Sequence, residues 1–197
     1  MKLHHSTASQ FVRKVMAASI ELGLDGRIEL IADKKDLEKH NPLLKRPALI
    51  TDDGDYIIDS PVICEYLDSI AGNKLIPVEK RAHWKVLSAE ALADGVMDAI
   101  GNIRSDRANH PGQESKDWHE KQLIKAAQGL DVFETEAARG ILAGPLSIAH
   151  VTVGCLCGYL DFAFKEYDWR AGRPALAAWY AEFAKRPSMT RTVPRHG

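Results

Sequence analysis

Cysteine is scarce in this sequence: Cys64, Cys155 and Cys157 are the only three among 197 residues. So odd and sparse a set argues against a disulfide framework and for a reducing compartment. Cys155 and Cys157 stand two apart, so on a helix they point in nearly opposite directions and do not easily share a metal. All three read as small buried hydrophobes. Long apolar runs are missing too. The first ten residues hold no apolar core of the secretory kind. The most apolar stretch, Ile148 to Ala163, carries His150 and Asp161 and is shorter than a bilayer span; it reads as a helix buried on nearly every side. Nor does charge of one sign predominate. With 26 basic and 27 acidic residues the net charge is −1, which gives no electrostatic case for nucleic acid or an anionic membrane surface. There is no basic block, low-complexity tract or internal repeat, and no tyrosine precedes Tyr56.

What remains is an ordinary globular composition, 45% hydrophobic and 27% charged, in a chain long enough for one large domain or two small ones with a shared interface. The first part alternates. Lys2 to His5 is a short strand with two unexpected histidines, His4 and His5. Phe11, Val12, Val15, Met16, Ala18, Ile20 and Leu22 recur at helical spacing and stop at Gly23. Arg27 to Ile31 is a second strand, which completes a unit of about thirty residues, the length of a parallel crossover. Asp33 to Asn41 is polar and reads as an irregular helix or turn, ended by Asn41-Pro42. Ala48 to Thr51 and Tyr56 to Ile58 flank Asp52-Asp53-Gly54-Asp55, a hairpin signal. Ser60-Pro61 opens the next helix, with serine suited to a cap and proline to the first turn.

After Gly72 and Pro77 only helical patterns are left. Glu79 to about Asn109 reads as one long helix with Trp84, Leu87, Ala91, Leu92, Val96, Ile100 and Ile103 as its apolar stripe. Helices are also expected at Lys116 to Ala138, from Ser147 onward, and from Arg173-Pro174 to Lys185. The order is β-α-β-α-β-β-α followed by a helical bundle. The domain reading is 1–72, a linker at 73–78, and 79–197.

This order, with particular residues on it, resembles the cytosolic glutathione transferase family. Ser9-Gln10-Phe11-Val12-Arg13-Lys14-Val15 is similar to the family's active-site turn and first helix. Asn41-Pro42-Leu43-Leu44-Lys45-Arg46-Pro47-Ala48-Leu49 resembles its Asn-Pro segment. Asp59-Ser60-Pro61-Val62-Ile63-Cys64-Glu65-Tyr66-Leu67 resembles its acidic-Ser motif. Ser147-Ile148-Ala149-His150 stands where the family has a helix-start signal, and Arg186-Pro187-Ser188 resembles its late Arg-Pro-Ser stretch. The resemblance implies a thioredoxin-like α/β domain that binds glutathione as co-substrate, followed by an all-α domain.

The resemblance also implies roles. The Arg46-Pro47 bond would be cis, which would leave the Arg46 backbone to pair with glutathione as an added strand does. Asp59 and Ser60, at a helix N-terminus, would take the γ-glutamyl ammonium and carboxylate, although both also suit simple capping. Lys45 would meet the glycyl carboxylate, or it is a solvated surface lysine. The thiol would be held as a thiolate near the first helix by a hydroxyl, with Ser9 ahead of Thr7 and Ser6. Ser9 is also readable as a plain helix cap. With no tyrosine or cysteine in that turn, the tyrosine version and a protein mixed disulfide are set aside.

Three departures from the family pattern stand out. Gln10 replaces a common proline, His4 and His5 replace apolar residues, and His150 replaces the aspartate that completes a capping box with Ser147. That last change is expected to cost about 1 kcal/mol, the size of a lost cap. The second substrate, a small hydrophobic electrophile, is expected against Met97, Ile100, Asn102, Arg104, Arg107 and Trp118. The family further implies a cytoplasmic homodimer active in detoxification, with no metal, nucleic-acid or membrane partner. A glutathione-dependent isomerase, lyase or reductase, or a non-catalytic glutathione-binding protein, would share the fold.

Overall fold

The computed structural model describes residues 1–33 and 36–195. Strands β1 (Lys2–His4), β2 (Glu29–Ile31), β3 (Ala48–Ile50) and β4 (Tyr56–Ile58) form one sheet in the order β2-β1-β3-β4. β1 runs parallel to β2 and antiparallel to β3, with Leu3 opposite both Leu30 and Leu49; β4 closes the hairpin against β3. The parallel pair is joined through α1 (Gln10–Leu22), the crossover that the spacing called for. Gly23 ends α1 in the left-handed conformation, φ 73°, and its N–H and that of Leu24 take the orphaned carbonyls of Ile20 and Ser19. The four-residue α2 (Leu37–His40) and then α3 (Ser60–Ile70) complete this half.

The rest is helical: α4 (Lys80–Asn109), α5 (Lys116–Arg139), α6 (Ile148–Ala163), α7 (Pro174–Phe183) and the short α8 (Pro187–Thr190). The architecture is therefore a mixed sheet with helices, followed by an all-α part. α6 lies at the centre, buried along Ile148 to Leu160, against α4 on one side and α1 on another. Cys64, Cys155 and Cys157 are buried and unpaired, and burial pushes all three thiols up, Cys155 to about 11. The connection at 73–78 is tied down rather than loose. The Asp68 carboxylate accepts the N–H groups of Lys74, Leu75 and Ile76 at 2.7–2.9 Å, and the Leu75 carbonyl accepts the N–H of Ile148.

The stripe expected on α4 holds at Val96, Ile100 and Ile103 and departs in the N-terminal half of the helix. Its buried residues include Val86, Glu90, Ala93, Val96, Met97, Ile100 and Ile103, whereas Trp84 is 59% exposed. A helix packed against α5 and α6 on different sides has no single apolar face, so one periodic stripe does not describe it. α8 and the 3₁₀ turns at Asp25–Arg27 and Ile141–Ala143 are additions to the expected order.

Candidate active site

A cleft of about 550 Å³ opens between the two halves, lined by Phe11 of α1, the Asn41–Pro47 loop, Ile58, Asp59 and Pro61, and α4. Its geometry starts from Asn41, which is buried. The Asn41 side chain donates to the Lys45 carbonyl at 2.8 Å and accepts the Leu43 N–H at 3.0 Å, so one amide folds the loop. Leu44 sits at φ 56° within it, and the Arg46-Pro47 bond that follows is cis. Lys45, Arg46 and Pro47 line the cleft. The tip of the Arg46 guanidinium turns back, with Nη2 donating to the Ala32 carbonyl at 3.0 Å. Behind this loop His4 is buried, with Nε2 2.7 Å from Nδ1 of His40; burial, then His40 and Arg46, lowers its pKa.

Opposite the loop, α3 begins at the cleft. Asp59 is its cap, held at φ 72°, and its carboxylate accepts the Ser60 N–H at 2.8 Å. Because Asp59 does the capping, the Ser60 hydroxyl is left over. It is buried, and its oxygen has no hydrogen-bond partner among the described residues. Buried polar atoms are nearly always paired, so an orphaned hydroxyl at a helix N-terminus marks a place for an acceptor such as a carboxylate.

The sequence reading placed α4 beside the site but missed the residues that α4 turns toward the cleft. Ala91, Asp94, Gly95 and Asp98 fall at i, i+3, i+4 and i+7 and face the cleft. A Cβ added at Gly95 would meet nothing within 4 Å, so the stripe is open space bordered by two carboxylates. Asp94 belongs to a buried ion cluster: Lys14 Nζ, fully buried, lies 2.6 Å from Asp94 and 3.0 Å from Glu90. Burial opposes the charge on Lys14, but Glu90 and Asp94 outweigh it and hold the ammonium. Two acids share that one cation, and burial pushes the Asp94 carboxyl up to about 6. Burial also raises Asp98, against the pull of Lys45 across the cleft. The available signal was a lysine set into the apolar face of the first helix, four residues after Gln10, with acids at an i, i+4 spacing to receive it.

The three candidate hydroxyls separate. Ser9 caps α1, its Oγ accepting the Val12 N–H at 3.3 Å. Ser6 and Thr7 line a different, smaller cavity of about 240 Å³ beneath the C-terminal segment. The second-substrate candidates do not gather at the cleft. Met97 and Ile100 are wholly buried in the core, Asn102 is exposed, and Trp118 is 37% exposed at the start of α5. Arg104 donates to the Tyr159 hydroxyl at 3.0 Å, and Arg107 pairs with Glu166 and lies over Phe164. Among the described residues no group of three or more His, Cys, Asp or Glu side chains is placed to hold a metal ion. No helix of the described residues is long and apolar enough to cross a membrane.

Comparison with known proteins bears on this cleft. Residues 8–70 match the glutathione S-transferase N-terminal domain and residues 116–182 the C-terminal domain. Over 98% of both chains, the sequence is 33% identical to an uncharacterized GST-like protein, YibF, of Escherichia coli K12. The chain belongs to the glutathione S-transferase family. Among solved structures, a glutathione transferase family member from Pseudomonas fluorescens Pf-5 with bound glutathione superposes with a TM-score of 0.93 at 41% identity, covering 99% of each chain. A glutathione S-transferase from Methylobacillus flagellatus with glutathione bound gives 0.88 at 35% identity, covering 98% of this chain and 99% of that one. In family terms, the β1-to-α3 half is the thioredoxin-like part and α4 to α8 the helical part of this transferase-family chain.

Proposed function

We propose that this protein is a glutathione transferase that holds glutathione in the cleft between the Asn41–Pro47 loop, α3 and α4 and activates its thiol for attack on a small electrophile. The observation that carries the reading is the orphaned Ser60 hydroxyl beside the Asp59 carboxylate at the start of α3. Ser60 donates to the γ-glutamyl carboxylate, Asp59 faces the adjoining ammonium, the Arg46 backbone pairs with the cysteinyl unit, and Lys45 meets the glycyl carboxylate. The sulfur then lies toward the N-terminus of α1. A free thiol has a pKa of about 8.5, which a helix N-terminus and a hydroxyl donor both lower. Capping does not disqualify Ser9. Its oxygen accepts the Val12 N–H through a lone pair, and the O–H remains free to donate to sulfur.

The reading extends to the assembly and its setting. Trp84 and Val132 border an apolar groove on α4 and α5 with Ala89, Leu92 and Phe133, while Tyr56 and Val62 stand exposed on the other half. A second copy that sets one patch against the other forms a homodimer, checked by sedimentation equilibrium. The unpaired thiols suit a reducing cytoplasm, and removal of reactive electrophiles is the role such an enzyme fills.

The decisive experiment is ultraviolet titration of the bound thiol in wild type, Ser9→Ala and Thr7→Ala. A pKa well below that of free glutathione, raised by Ser9→Ala alone, supports a serine-assisted transferase. Tight binding with an unshifted thiol replaces catalysis with a glutathione-binding role, and absence of binding overturns the reading.

A further inference from the structure

The segment from Arg186 to Arg195 lies along α1, fastened at four places. At the far end of α1, Arg186 makes a two-pronged pair with Glu21, Nε and Nη2 at 2.8 and 2.7 Å, and the Ser188 hydroxyl donates to the same carboxylate. Arg191 pairs with Asp25. Midway, Arg13 donates to the Met189 carbonyl at 3.3 Å and to the Thr192 hydroxyl at 3.4 Å. At the near end the Arg195 N–H donates to the Thr7 carbonyl at 3.1 Å. Thr7 belongs to the turn that leads into Ser9 and the start of α1.

Arg13 shows that this covering is built in. It is 7% exposed, yet among the described residues no carboxylate pairs with it. A guanidinium buried without an anion costs several kcal/mol unless its N–H groups find other acceptors. The segment provides two of them, to Nε and Nη2, while Nη1 has no partner among the described residues. The close approach continues on the other side, where a Cβ on Gly158 of α6 would fall 2.1 Å from Arg13 Nη1. Arg13 is thus clamped between α6 and the C-terminal segment, one helical turn from the Ser9 cap.

We propose that residues 186–195 act as a strap that positions the thiol-binding turn, with the Arg195 amide on the Thr7 carbonyl as its final anchor. The catalytic part of this statement rests on the proposed function, in which that turn holds the glutathione sulfur. Among the described residues, no hydrogen bond or ion pair joins the strap to the proposed γ-glutamyl and glycyl sites on α3 and the Asn41–Pro47 loop. Loosening the strap therefore disturbs the chemical step and spares glutathione affinity.

The test uses Arg195→Pro, which removes the N–H donor, against Arg195→Ala, which keeps it. The readouts are kcat and glutathione KM with an activated aryl chloride, the bound-thiol pKa, and hydrogen exchange at the Val12 and Arg13 amides, both bonded to Ser9. The expected result for Arg195→Pro is a kcat lowered about tenfold, a raised thiol pKa, faster exchange at both amides and a KM within about twofold of wild type. Arg195→Ala should match wild type. Equal losses in both variants, or an Arg195→Pro variant with wild-type kcat and thiol pKa, overturn the proposal. If wild type itself binds no glutathione, the functional reading has failed separately. Exchange then decides the strap: unchanged rates at Val12 and Arg13 in Arg195→Pro refute it.

Discussion

Helices α6 and α3 each have a serine at their start, and they use it in opposite ways. At α6, Ser147 is the cap, and its oxygen and amide are both engaged by His150 in a closed box, with Nδ1 at 2.9 Å from the hydroxyl and 3.1 Å from the N–H. At α3 the cap is Asp59, and the buried Ser60 hydroxyl is left without a partner among the described residues. The first start is closed and holds only structure. The second opens on a cleft, and its open valence is the clearest mark of a ligand in the chain. Sequence motifs alone do not separate the two cases, because serine before an apolar run is a good cap in both.

The comparison predicts a division of effects. Ser60→Ala should show the largest change, weakening glutathione binding about 10- to 100-fold, the size of a hydrogen bond to a charged group. Stability should hold or rise slightly, because the deleted hydroxyl is unpaired in the free protein. Calorimetric titration beside urea melts measures both. A Ser60→Ala variant that loses stability and keeps its affinity would erase the distinction between the two helix starts.

Ser147→Ala should do the reverse. It removes one arm of the box and should cost about 1 kcal/mol of stability, with glutathione affinity unchanged. Lys45→Ala sharpens the ligand side. An exposed lysine meeting a carboxylate contributes modestly and is screened by salt, so affinity should fall severalfold at low ionic strength and converge with wild type near molar salt. An effect of equal size at every salt concentration would move Lys45 from charge recognition to loop architecture.

Much of the fold was legible because turn chemistry announces it. Gly23 closes α1, Asp53-Gly54 sits in the hairpin and Ser60-Pro61 opens α3, and each needs only local backbone rules. The loop-and-α3 side of the cleft was legible for the same reason, since its residues sit at loop and helix boundaries. The opposite wall was not. Asp94 and Asp98 look like ordinary solvated acids in a long polar helix, and the lysine set in the apolar face of α1 does not name its partners, which lie some eighty residues on. Arg104 and Arg107 had the right chemistry for an acidic substrate, but their partners Tyr159 and Glu166 lie some sixty residues on, a pairing no local pattern shows. Asn41 is an intermediate case: its place in the Asn-Pro segment was visible, and its two-sided grip on the loop was not.

The smallest predicted effect tests the closed box through its odd member. Burial lowers the pKa of His150 below its ordinary value of about 6.5, so the folded protein keeps the ring neutral where the unfolded chain takes up a proton. The unfolded state then binds more protons, and this residue's contribution to stability falls as pH drops through about 6.5 toward the folded pKa. His150→Asp replaces the neutral acceptor with an anion at the positive end of α6 and near Arg186, whose charge also disfavours the protonated ring. At pH 7.5 the variant should be a few tenths to about 1 kcal/mol more stable than wild type. The gap should widen between about pH 6.5 and 5, because aspartate stays ionised there while His150 is driven to protonate. Urea melts of the two proteins across that range read the effect directly. A constant difference at every pH would mean that the wild-type box tolerates a charged ring, and that its closure depends on shape alone.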